Sequence, residues 1–201
     1  MRTPSDDPQA LAVEADLVRR TRAGELDAFN ALVDLHQRAT YNLCLRMLGS
    51  AAAAEDATQD AFFSAYRHIA TFKGGHFRPW LLRIAANACT DELRRRSRRP
   101  AISLDAPAPG SSDPPDVADR APGPETAALR GEQHDIVQAA LLRLPEDQRL
   151  AVVLCDMQGF SYEEIAATMR TSTGTVKSRI ARGREKLRRE LRPDGEHSHG
   201  G

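Results

Sequence analysis

Twenty-five consecutive residues near the middle of the chain, "PAISLDAPAPGSSDPPDVADRAPGP" (100–124), hold seven of its twelve prolines. Proline lacks a backbone N–H, and its ring blocks both helical and strand ladders. No continuous element can be built across this stretch. It sets Asp105, Asp113, Asp116 and Asp119 against Arg120, so it reads as an acidic, flexible linker. The 201-residue chain is therefore predicted to form two small units, 10–99 and 125–192, followed by a disordered tail at 193–201.

Both units read as helical, and the fold class is all-α. Residues 11–22 make a short helix stopped by Gly24. Phe29, Leu32, Val33, His36, Leu43 and Met47 recur at helical spacing and end before Gly49. A third stripe runs from Ala57 to Ile69. A fourth runs from Trp80 to Leu93, with Pro79 near its start, where a missing N–H costs nothing. In the second unit an amphipathic stretch at 125–143 is broken by Leu144-Pro145, and another helix opens at Pro145-Glu146 and stops near Gly159. No alternating strand pattern is visible.

The aromatic share of 5% argues against one large core and for helical units with modest ones. No apolar run reaches the roughly 18–20 residues that span a bilayer. The start "MRTPSDDPQALAVEADLV" has no apolar signal region, so a cytoplasmic protein without membrane insertion is expected. Cys44, Cys89 and Cys155 form no C-x-x-C pair, and buried reduced thiols are the expected state.

The formal net charge is zero, yet the basic residues are clustered. "RRRSRR" fills 94–99, and segment 177–192 holds eight basic residues against two acids. Just before the latter, "SYEE" sets Ser161 three residues ahead of Glu164, a capping box. Thr171 or Ser172 is placed to cap the next helix. On that helix Val176, Ile180, Leu187 and Leu191 share one face, and Lys177, Ser178, Arg182 and Arg189 stand on the other. Short helix, tight turn and longer basic helix make the helix-turn-helix plan, whose second helix enters the major groove. A basic amphipathic helix also serves as a solvated face, a membrane-surface segment or a partner-binding segment. The capped short helix and the turn favour DNA.

At this point the chain resembles the extracytoplasmic-function group of bacterial sigma factors within the sigma-70 family. The resemblance rests on "AEDATQDAFFSAYRHIATF" and "FRPWLLRIAANACTDELRRR" in the first unit. In the second it rests on "LPEDQRLAVVLCDMQGFSYEEIAATM" and "GTVKSRIARGREKL". It implies that the first unit binds the clamp of core RNA polymerase and recognises and melts the promoter −10 element. The second would read the −35 element as duplex and touch the polymerase flap. Asp56, Gln59 and Asp60 match the polymerase-docking positions. Asn87 and Asp91 match −10 contacts, with Arg94, Arg95 and Arg96 on the backbone. In the loop "FKGGHF", Phe72 and Phe77 would wall a pocket for an unpaired base, with Lys73 and His76 beside it. Lys177, Ser178, Ala181 and Arg182 match the groove-reading positions, with Thr175 and Arg179 on phosphates. One residue fewer than the family pattern separates Phe72 from Trp80, and Pro79 replaces a polar residue, which leaves the −10 base open.

Family members are often held by an anti-sigma factor, a further candidate partner. A helix-turn-helix regulator acting without polymerase is the alternative reading. An enzyme is not expected, since no Walker A, H-E-x-x-H, G-x-S-x-G or dinucleotide fingerprint occurs. No cofactor or metal is expected; His197 and His199 in the tail lack companion ligands.

Overall fold

The computed structural model describes residues 8–98 and 124–192, with side chains from residue 9 in the first segment and from residue 133 in the second. The linker and tail assigned above lie outside the described residues, except Pro124, where a helix begins. Among the described residues four helices build the first half: α1 (Pro8–Arg22), α2 (Leu26–Leu48), α3 (Ala51–His68) and α4 (Phe77–Arg98). Four build the second: α5 (Pro124–Leu142), α6 (Glu146–Val152), α7 (Tyr162–Met169) and α8 (Thr173–Glu190). A 3-10 turn at Ile69–Thr71 follows α3, and α6 runs on into a π-helical turn at Val153–Met157. Among the described residues there is no strand, as the missing period-two pattern predicts.

Local chemistry sets the boundaries. Helix α2 ends at Gly49, whose φ of 72° is the left-handed geometry that spares glycine a Cβ clash. Its N–H donates to Leu45 O at 2.9 Å. Pro79 falls within the first turn of α4, where its ring is tolerated. Pro145 precedes α6 at the N-cap position, and Glu146 and Asp147 complement the positive end of that helix.

The apolar stripes converge on two clusters. The smaller joins Val18 of α1, Phe29 and Leu32 of α2, Phe62 and Ala65 of α3, and Phe72, Phe77 and Leu81 around the start of α4. The larger contains Leu43, Met47, Ala54, Ala57, Ala61, Leu82 and Ala85 of the first half. It continues without interruption into Leu141, Leu144, Leu150, Val153, Leu154, Ile165 and Ile180 of the second. Two separate cores were expected; the structure has a small cluster confined to the first half and a larger one shared by both halves. The alanines let α2, α3 and α4 approach closely but supply little apolar area, and leucines of the second half complete it.

Polar groups pin the same junction. Arg149 of α6 is buried, 6% exposed, and its guanidinium donates to Met47 O across the junction. It also donates to Leu142 O at 3.0 Å and Leu144 O at 3.2 Å within its own half. Arg46 donates to Gln138 Oε1 at 2.9 Å, and Gln138 Nε2 donates back to Leu45 O at 3.0 Å. Arg78 donates to Gln158 O at 2.9 Å and Gln158 Oε1 at 2.7 Å. Leu142 packs so tightly on Gly49 that a Cβ there would lie 2.5 Å from Leu142 Cδ1.

Cys44 and Cys89 are buried free thiols, and Cys155 is half-buried and also free. Its hydrogen bond with Cys44, and then burial, push the Cys89 thiol up and keep it protonated. No helix among the described residues is long and apolar enough to cross a membrane.

Candidate nucleic-acid interface

The helix-turn-helix forms where the capping signals place it. Ser161 Oγ accepts from the Glu164 N–H at 3.2 Å, and Glu164 Oε2 accepts from the Ser161 N–H at 2.8 Å. Both halves of the capping box are therefore present. The turn is made by Arg170, the one non-glycine residue with positive φ (51°) among the described residues. Of the two cap candidates, Ser172 is the one used, its Oγ accepting from the Thr175 N–H at 3.2 Å.

Helix α8 buries Val176 and Ile180 against the core, together with Gly183. Leu191, expected on the same face, lies just past the helix and is 39% exposed. At Gly183 the helix touches α6, and a Cβ there would lie 2.7 Å from Val152 Cγ2.

On the outer face Lys177, Ala181 and Arg182 are exposed. The Lys177 ammonium lies 5.9 Å over the Tyr162 ring, a cation–π contact with the first helix of the motif. The Ser178 hydroxyl donates back to Thr175 O at 2.8 Å. Arg179 is turned toward α6 and pairs with Asp147 at 2.8 Å. Much of the remaining basic stripe is likewise engaged. Arg184 pairs with Asp156, Lys186 donates to Arg143 O at 2.8 Å, and Arg188 pairs with Glu185. The dense charge of 177–192 thus serves two purposes: it ties α8 to its own bundle, and it leaves Lys177 and Arg182 facing outward.

In the first half, Asn87, Asp91, Arg94 and Arg95 lie exposed along α4. Asp91 meets Arg94 at 3.5 Å, and Arg95 and Arg96 both pair with Glu92. Asp91 is therefore partly neutralised by the arginine one turn on. The loop before α4 corrects one expectation. Phe72 and Phe77 are 6% and 0% exposed, so neither offers a face to a base. Their rings meet edge to face at 5.8 Å, and both pack on Trp80, at 5.3 and 5.4 Å. They brace the loop from below. Lys73 and His76 remain exposed, flanking Gly74 and Gly75 with φ of 95° and 88°.

Helix α1, which sequence reading left without a role, reaches this loop. Glu14 Oε2 accepts from the Phe77 N–H at 3.1 Å, and Glu14 Oε1 lies 2.8 Å from His36 Nε2. That second contact is close enough for charge pairing, though the ring nitrogen is off the line of a straight hydrogen bond. Burial by itself would raise the Glu14 carboxyl. The contacts with His36 and the Phe77 N–H, and the attraction of His36 and His76, hold it below the ordinary carboxylate value. Its stabilising contribution is present above the unfolded carboxylate pKa and is lost as pH falls through the folded one. Arg22 Nε donates to Ile69 O at 3.2 Å, and its Nη2 donates to Phe72 O.

Asp56, Gln59 and Asp60 are exposed on α3. Phe63 continues their face and is 57% exposed, a large apolar side chain that the sequence reading passed over. The signal was its spacing, one turn after Gln59 and Asp60. Between the halves, Asn87, Asp91 and Arg94 of α4 face Asp147, Arg170 and Arg179 across a cleft of about 670 Å³.

Comparison with known proteins accounts for this arrangement. Residues 32–99 match the family model of Sigma-70 region 2, and residues 134–187 match that of Sigma-70, region 4. The chain is 40% identical over 185 residues to the ECF RNA polymerase sigma factor SigE of Mycolicibacterium smegmatis, covering 92% of this chain and 68% of that one. It is 38% identical over 180 residues to the ECF RNA polymerase sigma factor SigW of Bacillus subtilis, covering 87% and 95%. Among solved structures it is similar to the sigma factor RpoE of Bartonella quintana in complex with the anti-sigma factor NepR. That match has TM-score 0.64 and 27% identity, covering 83% of this chain and 98% of the other. A second is CnrH in complex with the cytosolic domain of CnrY, with TM-score 0.63 and 26% identity over 91% and 99%. With both sigma-70 regions in order and relatives about 40% identical matched over 68% and 95% of their length, the chain belongs to the extracytoplasmic-function group of sigma-70 family RNA polymerase sigma factors.

Proposed function

We propose that this chain joins core RNA polymerase in the cytoplasm, directs it to a restricted set of promoters and opens them, performing no covalent chemistry itself. The observation that carries the reading is the pair of exposed polar faces in one chain. One is Asn87–Asp91–Arg94 on α4, and the other is Lys177–Ala181–Arg182 on a capped recognition helix. The α4 face contacts the −10 strand, with Lys73 and His76 beside the unpaired base and Arg95 on its backbone. The α8 face reads the −35 duplex, with Thr175 and Ser178 at its edge. Helix α3 docks on the polymerase clamp through Asp56, Gln59 and Asp60, with Phe63 as its apolar centre. The second half also contacts the flap, and an anti-sigma factor is a further partner class.

Arg182 and Lys177 are suited to guanine acceptors, where a good base contact contributes about 1–3 kcal/mol. Arg182→Ala is expected to weaken holoenzyme binding to its −35 sequence by that amount, about 5–150-fold, while random duplex is bound nearly as before. An equal loss on random duplex would overturn base reading. A chain that bound promoters but never captured core polymerase would instead be a free-standing regulator.

The reading also requires the halves to part. Promoter elements two helical turns apart are separated by about 70 Å. Twenty-five linker residues reach about 85 Å when fully extended. In the closed chain the α4 face and Arg179 share one cleft. Spin labels at Arg67→Cys and Glu185→Cys, in a chain carrying Cys155→Ser, are expected to move apart when the holoenzyme forms. An unchanged distance with promoter opening intact would refute this geometry.

A further inference from the structure

The exposed loop Lys73–His76 is short, and both of its ends are fixed by the same helix. At the entrance, Arg22 of α1 donates to Ile69 O at 3.2 Å and to Phe72 O. At the exit, Glu14 of α1 accepts from the Phe77 N–H at 3.1 Å, the first amide of α4. Glu14 is itself seated against the buried His36 at 2.8 Å. Between these points Phe72, Phe77 and Trp80 form a packed three-ring block beneath the loop. Above it, a Cβ built on Gly74 or Gly75 would meet nothing within 4 Å. Two adjacent glycines with open space around them make a segment with many accessible conformations. What limits it is where it begins and ends.

Arg22 and Glu14 lie eight residues apart, about 12 Å along α1. Each supplies a charged group to an uncharged backbone atom, the stronger class of hydrogen bond. Glu14 also faces the buried His36, and Arg22 lies exposed at the end of α1; apolar side chains at these two positions would leave the loop ends unanchored.

We propose that Glu14 and Arg22 are positioning residues for −10 base selection: by anchoring the two ends of the 73–76 loop they present Lys73 and His76 to the unpaired base in one geometry. This rests on the reading of that loop as the −10 base contact. Helix α1 thereby becomes part of promoter discrimination without touching DNA.

The test uses holoenzyme and a set of single-stranded −10 oligonucleotides that differ only at the base facing the loop. In the parent protein the four bases are expected to bind with different affinities. In Glu14→Ala and Arg22→Ala the spread between best and worst base is expected to shrink by about tenfold, the scale of one or two lost hydrogen bonds. Affinity for −35 duplex and for core polymerase is expected to stay within about twofold, since neither residue touches those faces. Glu14→Gln keeps an acceptor for the Phe77 amide and is expected to restore most of the spread. Hydrogen exchange at that amide should rise in Glu14→Ala and recover in Glu14→Gln. Should Glu14→Ala fail to fold, Glu14→Asp, whose carboxylate is one methylene short of the Phe77 amide, takes its place.

A base spread unchanged in folded variants would overturn the proposal. So would a spread that shrinks only in step with −35 and polymerase affinity. Lys73→Ala with His76→Ala separates the two levels. If that loop variant leaves the spread intact, the loop does not read the base and both ideas fall. If it flattens the spread and the α1 variants do not, the anchoring idea alone is wrong.

Discussion

Arg149→Met is expected to melt well below the parent protein. The guanidinium, 6% exposed, donates to Met47 O, Leu142 O and Leu144 O, three carbonyls that no other side chain among the described residues reaches. Methionine fills much of the volume and removes the cost of burying a charge, but it leaves the carbonyls orphaned. Each orphaned buried acceptor costs about 1–3 kcal/mol, and removing the buried charge returns part of that sum. A net loss of about 3 kcal/mol corresponds to a fall in Tm of roughly 6–12 °C for a chain of this length. Arg149→Lys, which carries donors on one nitrogen only, should fall between the two. Because Met47 belongs to the first half and the other two carbonyls to the second, the same change loosens the junction. X-ray scattering should report a larger radius of gyration for the variant at temperatures where its helices remain intact. Parent-like melting by circular dichroism would refute the assignment.

Gly183→Leu is expected to damage both folding and −35 recognition. A Cβ at this position would already lie 2.7 Å from Val152 Cγ2 and 3.4 Å from Gln148 O. Val152 is 3% exposed and stiff about χ1, so it has nowhere to go. Overpacking by even a few methylenes costs about 1–3 kcal/mol, and leucine adds more than a few atoms. Its better helix propensity returns only about 1 kcal/mol. The net expectation is a loss of up to about 2 kcal/mol, relieved by prising α8 away from α6. That movement stretches the Arg179–Asp147 pair, now 2.8 Å, and tilts the face that carries Lys177 and Arg182. Binding to −35 duplex should drop more than about tenfold even where the variant is folded, a loss of about 1.4 kcal/mol. Gly183→Ala sets a smaller clash against the same propensity gain, so it should lie near the parent. Leucine tolerated with full DNA affinity would show that α6 and α8 are not in contact there.

What could be read without coordinates was what local chemistry decides. The Ser161–Glu164 box, the stop at Gly49 and the placement of Pro145 each depend on residues within one turn, and each stands where the spacing puts it. Phe72 and Phe77 were misread because an aromatic residue at the edge of a glycine loop looks exposed. Trp80, arriving from α4, buries both. Glycine in a basic helix looks like a weak point, and only the position of Val152 makes Gly183 a contact. Arg149 stands beside the apolar run "LAVVL" as one charge among many, and its three acceptors come from α2, the end of α5 and the turn that follows it. The left-handed turn at Arg170 carries no glycine to announce it. Periodicity tells which face of a helix is apolar and not what covers it. For that reason the shared cluster, in which Leu141 and Leu144 complete an alanine-lined surface of the first half, was out of reach.

That shared cluster makes each half the other's escort. Parting them bares the alanine-lined flank and the leucines that sat on it, and wet apolar surface of that kind invites aggregation and proteolysis. An open chain is thus a species best produced where a replacement surface is already waiting. Folded on itself, the chain keeps that flank and its leucines covered by one another.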